Sequence, residues 1–150
     1  GRLIFLNKTR FSTEFFAQHS KNPFRSFLQR DVIGFGTRIS LDDSTKLGFG
    51  VLTEDEEDLQ GIETDTERLS MYFTDKYELA ENIDLLLTAY YQPSLDETDD
   101  YKASILTGIN FTVNENVSIS LQFSSFYDSI PPENAYKQDE QISTEFSYSF

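Results

Sequence analysis

Two runs near the end of the chain alternate strictly between apolar and polar residues. Val117, Ile119, Leu121 and Phe123 interleave with Ser118, Ser120, Gln122 and Ser124, and Ile142, Thr144, Phe146, Tyr148 and Phe150 interleave with Ser143, Glu145, Ser147 and Ser149. Period two predicts β-strands with one greasy and one polar face. The polar face is nearly all serine, which suits a crowded interior better than bulk water. The apolar face then points outward, and an apolar exterior is stable only in lipid. The expected fold is all-β: an antiparallel meander closed as a transmembrane β-barrel.

The same alternation extends upstream and predicts about eight strands. Phe11, Thr13 and Phe15 oppose Ser12, Glu14 and Phe16; Ile33, Phe35, Thr37 and Ile39 oppose Gly34, Gly36 and Arg38; Leu47, Phe49 and Val51 oppose Lys46, Gly48 and Gly50. Further strands are expected over Glu67 to Thr74, Asn82 to Gln92 and Tyr101 to Val113. Gly1 to Arg10 alternates poorly. Short connections (Leu41 to Ser44, Asp75 to Glu81, Asn114 to Asn116) take turns with longer ones (Gln18 to Phe24, Thr53 to Thr66, Pro93 to Asp100, Asp128 to Glu140). Short periplasmic turns and long extracellular loops have this parity, and an even strand count puts both termini in the periplasm. The long connections hold much of the acid, including the run Glu54 to Asp58. Inward charges are mixed: Glu14, Asp84 and Glu145 against Arg38, Lys46, Arg68 and Lys102, a set able to neutralise itself in a confined lumen.

Composition narrows the function classes. With 150 residues there is room for one domain, residues 1–150. Only 38% of residues are hydrophobic, and no run approaches the roughly 18 apolar residues of a membrane helix. Fourteen Phe and eight Tyr favour strands and could furnish interfacial girdles. A net charge of -14 disfavours nucleic acid, which needs clustered Lys and Arg. No cysteine is present, so disulfides and thiolate metal sites are excluded. A soluble eight-stranded barrel or sandwich has the same alternation with the faces reversed, and the serine and glycine inner face argues against it.

The stretch Tyr127-Asp128-Ser129-Ile130-Pro131-Pro132-Glu133, followed by Lys137, Asp139 and Ser147-Tyr148-Ser149-Phe150, resembles the end of the YdiY-like outer-membrane proteins, a family of unknown function described as salt-induced (domain of unknown function 481). Arg30 to Gly36 and Tyr90 to Asp96 are also similar to it. The resemblance implies an outer-membrane location and carries over no catalytic residues. Members of that family have further strands before the matched region, which implies a barrel completed by N-terminal strands, about ten to fourteen in all, rather than closure at eight. Phe146, Tyr148 and Phe150 look like the recognition signal that such barrels present to the barrel assembly machinery.

Catalytic chemistry is sparse. His19, the single histidine, lies beside Ser20 in an expected outward connection, where a solvated histidine is the simpler reading than a hydrolase site. Thr53 to Asp58 and Asp96 to Asp100 offer oxygen ligands without the ordered spacing of a calcium loop, which leaves any metal undetermined. No enzyme activity and no cofactor is expected. The expected role is structural or accessory, with outer-membrane lipid, the assembly machinery and other outer-membrane proteins as partners; the alternative is a small channel or transport protein.

Overall fold

A computed structural model describes residues 1–6, 10–22, 27–132 and 135–148. Nine strands run through the described residues: β1 (Arg2–Leu6), β2 (Phe11–Asn22), β3 (Phe27–Ser40), β4 (Lys46–Asp58), β5 (Glu63–Ala80), β6 (Ile83–Pro93), β7 (Tyr101–Asn114), β8 (Val117–Asp128) and β9 (Gln138–Tyr148). They form one antiparallel sheet in chain order. The count differs from the expected eight because the poorly alternating start is itself a strand: β1 pairs β2, with Leu3 opposite Phe15 and Phe5 opposite Thr13. β2 is therefore bonded on both sides, to β1 and to β3, and has no free edge to offer β9. Closure at eight strands through Phe11 to Phe15 does not occur. The sheet is open between β1 and β9.

Alternation sorts the two faces as expected. Phe35, Ile142 and Phe146 project outward and are 58%, 72% and 67% exposed, while Ser12, Glu14, Arg68 and Ser70 are buried on the inner face. The concave side is the polar one. Close approach of the rings to the backbone explains two inner glycines: a Cβ at Gly48 would lie 1.8 Å from the Tyr72 ring, and one at Gly34 2.3 Å from Phe16.

The outward apolar band does not follow the hydrogen-bonded rows. One row passes through Thr13, Thr37, Phe49, Met71, Tyr91, Ala103, Tyr127 and Gln138. It crosses β2 near the middle of the apolar run Phe11 to Ala17, yet it meets β9 seven residues before Glu145, the middle of Ile142 to Tyr148. At about 3.3 Å per residue and about 4.8 Å per strand, the band crosses the rows at roughly 35°. Tyr91, Tyr101 and Tyr127 form a row along the edge of that band nearer the longer connections, with successive ring centroids 5.6 Å apart, the first pair tilted and the second stacked.

The connections correct several expectations: Gln18 to Asn22 belongs to β2 and Asp75 to Ala80 to β5 rather than to connections. The acidic run Glu54 to Asp58 is part of β4 rather than a loop, because β4 and β5 are joined by a tight turn at residues 59–62. Asp58 makes that turn: its carboxylate accepts from the Gln60 and Ile62 amides at 2.8 and 2.9 Å, and Gly61 takes a φ of 79° that few other residues tolerate. Residues 94–100, and of the described residues 129–132 and 135–137, remain as the longer connections at this end.

Candidate functional site

The inner face carries two ionic clusters. The first is compact. Glu14 on β2 is held by Arg38 of β3 at 2.6 Å and accepts a 2.7 Å hydrogen bond from the Tyr72 hydroxyl of β5, which in turn accepts from Arg38 Nε at 2.8 Å. Three strand steps separate β2 from β5, about 14 Å along a flat sheet. Contact across that span reflects the curl of the sheet around its polar face.

The second cluster fills the end nearer the longer connections and centres on Glu54, 2% exposed. Arg30 reaches it at 2.7 Å from β3 and Arg68 lies 3.6 Å away on β5, while Lys102 bridges to it from β7. Lys102 also holds Glu56 at 3.0 Å and approaches Asp128 of β8 at 3.6 Å. Arg68 makes a bidentate pair with Asp100, at 3.0 and 2.8 Å, and donates to the Gln92 carbonyl. Buried charges persist only when neutralised, and here each carboxylate meets a cation.

Of the lumen charges expected from the sequence, Glu14 and Arg38 meet in the first cluster, and Arg68 and Lys102 in the second. Lys46 belongs to neither. Asp84 pairs instead with Lys76 at 3.1 Å near the short-turn end, and Glu145 lies exposed on β9, accepting from the Ser147 hydroxyl at 3.3 Å. Arg30, Glu54, Glu56, Asp100 and Asp128 were not expected as partners. Their signal was the period itself: Glu54 and Glu56 continue the inward series Gly48, Gly50, Leu52, just as Arg30 extends Val32, Gly34, Gly36 and Arg38.

Phe146 and Tyr148 stand on the outward face of β9, 67% and 61% exposed. Phe150, the last residue of the expected assembly signal, lies outside the described residues. His19 is in β2 rather than a connection, with its Nδ1 2.6 Å from the Asp31 carboxylate. Neighbours on a strand point to opposite faces, so Ser20 cannot meet that imidazole; its hydroxyl donates to the Arg30 carbonyl at 3.4 Å. Among the described residues no group of three or more His, Asp or Glu side chains is arranged to hold a metal ion.

Two hollows flank the second cluster. One, of about 410 Å3, lies between the β4–β5 turn and the longer connections. The other, of about 880 Å3, extends over the inner face past Phe16, Tyr90, Ser104 and Phe126. Glu56, Lys102, Asp128, Pro131 and Pro132 line both, so this group is the wall between them.

No curated protein and no solved structure matches the chain. A family model does, over residues 2–150, and the curled meander with its polar inner face is therefore a member of the family described as "Protein of unknown function, DUF481".

Proposed function

We propose that this protein is a transmembrane β-barrel of the outer membrane and that its lumen is a small channel. The observation that carries the barrel is the inverted partition of the sheet: exposed Phe, Ile and Leu on the convex side, and on the concave one mostly buried Ser, Glu and Arg, with Val32, Leu52 and Tyr72 among them. A soluble sandwich needs the opposite arrangement. The slope of the apolar band, roughly 35°, matches the 35–45° strand tilt of outer-membrane barrels, and the tyrosine row at its edge suits a membrane interface. No helix among the described residues is long and apolar enough to cross a membrane.

Between a channel and an accessory role, the inner face of β6–β9 favours the channel. Residues of β2–β5 pack into the concavity, whereas no residue of β6, β7, β8 or β9 is buried. With β1 and β9 unpaired to each other, closure in lipid calls for further strands, since unsatisfied edge groups cost several kcal/mol each. A barrel of more than nine strands is wider than the filled eight-stranded kind.

The sequence has no Trp, so a single introduced one is a clean reporter. In vesicles with brominated acyl chains, Phe49→Trp is expected to be quenched and Ser120→Trp to be spared. Quenching at Ser120 with none at Phe49 would mean that the faces are reversed and the protein is not a membrane barrel. An accessory role predicts in addition that no conductance accompanies correct insertion.

A further inference from the structure

We infer that the lumen is a path for inorganic cations and that the Lys102 ammonium is its internal barrier; this rests on the barrel reading above. The smaller hollow is strongly negative. Eight carboxylates line it, among them Asp58, Asp65, Asp96 and Glu97, against two cations, Arg68 and Lys102. Of those carboxylates, Asp100 is spent on Arg68, and Glu54, Glu56 and Asp128 on Lys102 and Arg30, and the remaining four leave a field that gathers cations and repels anions at this mouth. The larger hollow beyond is close to neutral, with Lys21, Arg30, Lys102 and Lys137 against four carboxylates, and between them are hydroxyls and amides, Ser70 and Ser104 among them, that can replace part of an ion's hydration shell.

Only the shared wall separates the two. Its polar members are Glu56, Lys102 and Asp128, with Lys102 in the middle, 3.0 Å from Glu56 and 3.6 Å from Asp128. Lys102 sits on β7, Glu54 and Glu56 on β4, and Asp128 on β8, so one side chain ties together walls three strand steps apart. A cation moving from the acidic vestibule into the lumen beyond meets an ammonium that already occupies the carboxylates of this wall, Glu54, Glu56 and Asp128. The neighbouring prolines, Pro131 and Pro132, close the same wall with groups that have no amide hydrogen to offer. The Arg30–Glu54 contact does not depend on Lys102 and holds β3 to β4 when Lys102 is changed.

The test is planar-bilayer recording of the whole membrane-assembled protein under a KCl gradient, using wild type, Lys102→Gln and Lys102→Arg. Wild type is expected to conduct weakly with a reversal potential on the K+ side. Lys102→Gln is expected to raise the conductance by roughly tenfold and keep it cation-selective, because a like charge at contact distance from the path is removed. Lys102→Arg, which keeps the charge, is expected to behave as wild type. Anion selectivity in wild type, equal conductance in wild type and Lys102→Gln, or no conductance in either overturns the inference. The wild-type reversal potential decides the matter if Lys102→Gln fails to insert. Lipid quenching of Phe49→Trp on the same preparations separates the outcomes: quenching without conductance removes the cation path and leaves the barrel, and absence of quenching removes both.

Discussion

At single positions, what the fold needs is set by how close a neighbour comes. Gly48 and Gly108 both interrupt apolar alternation on inner-facing positions and are indistinguishable in the sequence. In the folded chain the first lies under the Tyr72 ring that Glu14 and Arg38 hold in place, while nothing stands within 4 Å of a Cβ at the second. Gly48→Ala is therefore expected to cost about 1–3 kcal/mol, as overpacking of an immobile neighbour does. Gly108→Ala should stay within about 0.5 kcal/mol. Urea unfolding of the membrane-inserted protein measures both, and equal values would mean that Tyr72 is free to move aside. The turn at residues 41–45 permits a second test. Asp42 accepts from the Thr45 amide at 2.7 Å and from the amide and hydroxyl of Ser44, each at 2.9 Å, and these bonds to the charged form lower its carboxyl from 3.8 to about 2. A depressed folded value means that the contribution is complete above the unfolded value and is lost as pH falls through about 2. A carboxyl chemical-shift titration should have its midpoint near 2; a midpoint at the ordinary value would mean that the turn does not form this bond network. His19 shows the limit of residue-level reading: a lone histidine carries no period, and its partner Asp31 comes from register, twelve residues away.

Among the elements, strand interiors were legible because alternation is a local property, and their ends were not. The inward and outward sets on β3, β4, β6, β7 and β8 follow directly from period two. Glu54 to Asp58 was misread because five consecutive acids look like solvated loop, whereas alternate members of that run face opposite ways. Glu54 and Glu56 turn in to Arg30 and Lys102, while Asp55 turns outward. Charge alone therefore did not separate strand from loop; the missing information was the cations on β3 and β7 that neutralise the inward pair. Adjacent residues should then respond very differently. Glu54→Ala leaves Arg30, Arg68 and Lys102 short of their shared carboxylate, and breaking such a buried pair costs about 3–5 kcal/mol. Asp55→Ala, on the exposed side, should change stability by no more than about 0.5 kcal/mol. Unfolding by urea gives both numbers, and similar costs at the two sites would mean that β4 does not continue through the acidic run. A glutamate-specific protease should likewise spare Glu54 to Glu57 and cut at Glu97 in the 94–100 connection; cleavage within the run would restore the loop.

For the whole molecule the decisive quantity is the angle between the hydrogen-bonded rows and the apolar band, because no single strand contains it. In a sheet whose strands stand upright to the layer they cross, residues of one row share one depth. Here Phe49 and Tyr127 belong to the same row, four strands apart, yet Phe49 is central in the apolar run of β4 while Tyr127 is at the tyrosine-lined edge of the band. Leu121, six residues from Tyr127 on β8, belongs to a different row and to the middle of its own apolar run. If the chain crosses a bilayer with strands tilted by roughly 35–40°, six residues at about 3.3 Å each correspond to about 15 Å of depth. Phe49→Trp and Leu121→Trp should therefore be quenched most by the same, deeply brominated lipid. Tyr127→Trp should respond to bromines about 15 Å nearer the surface. Equal depths for Phe49 and Tyr127, with Leu121 displaced from both, would mean upright strands, and the slope of the band would then have no membrane cause. The same measurement bears on closure. A tilt of this size fixes how far the free edges of β1 and β9 are offset along the strand direction, so strands completing the barrel must continue the same climb rather than join the two edges at one level.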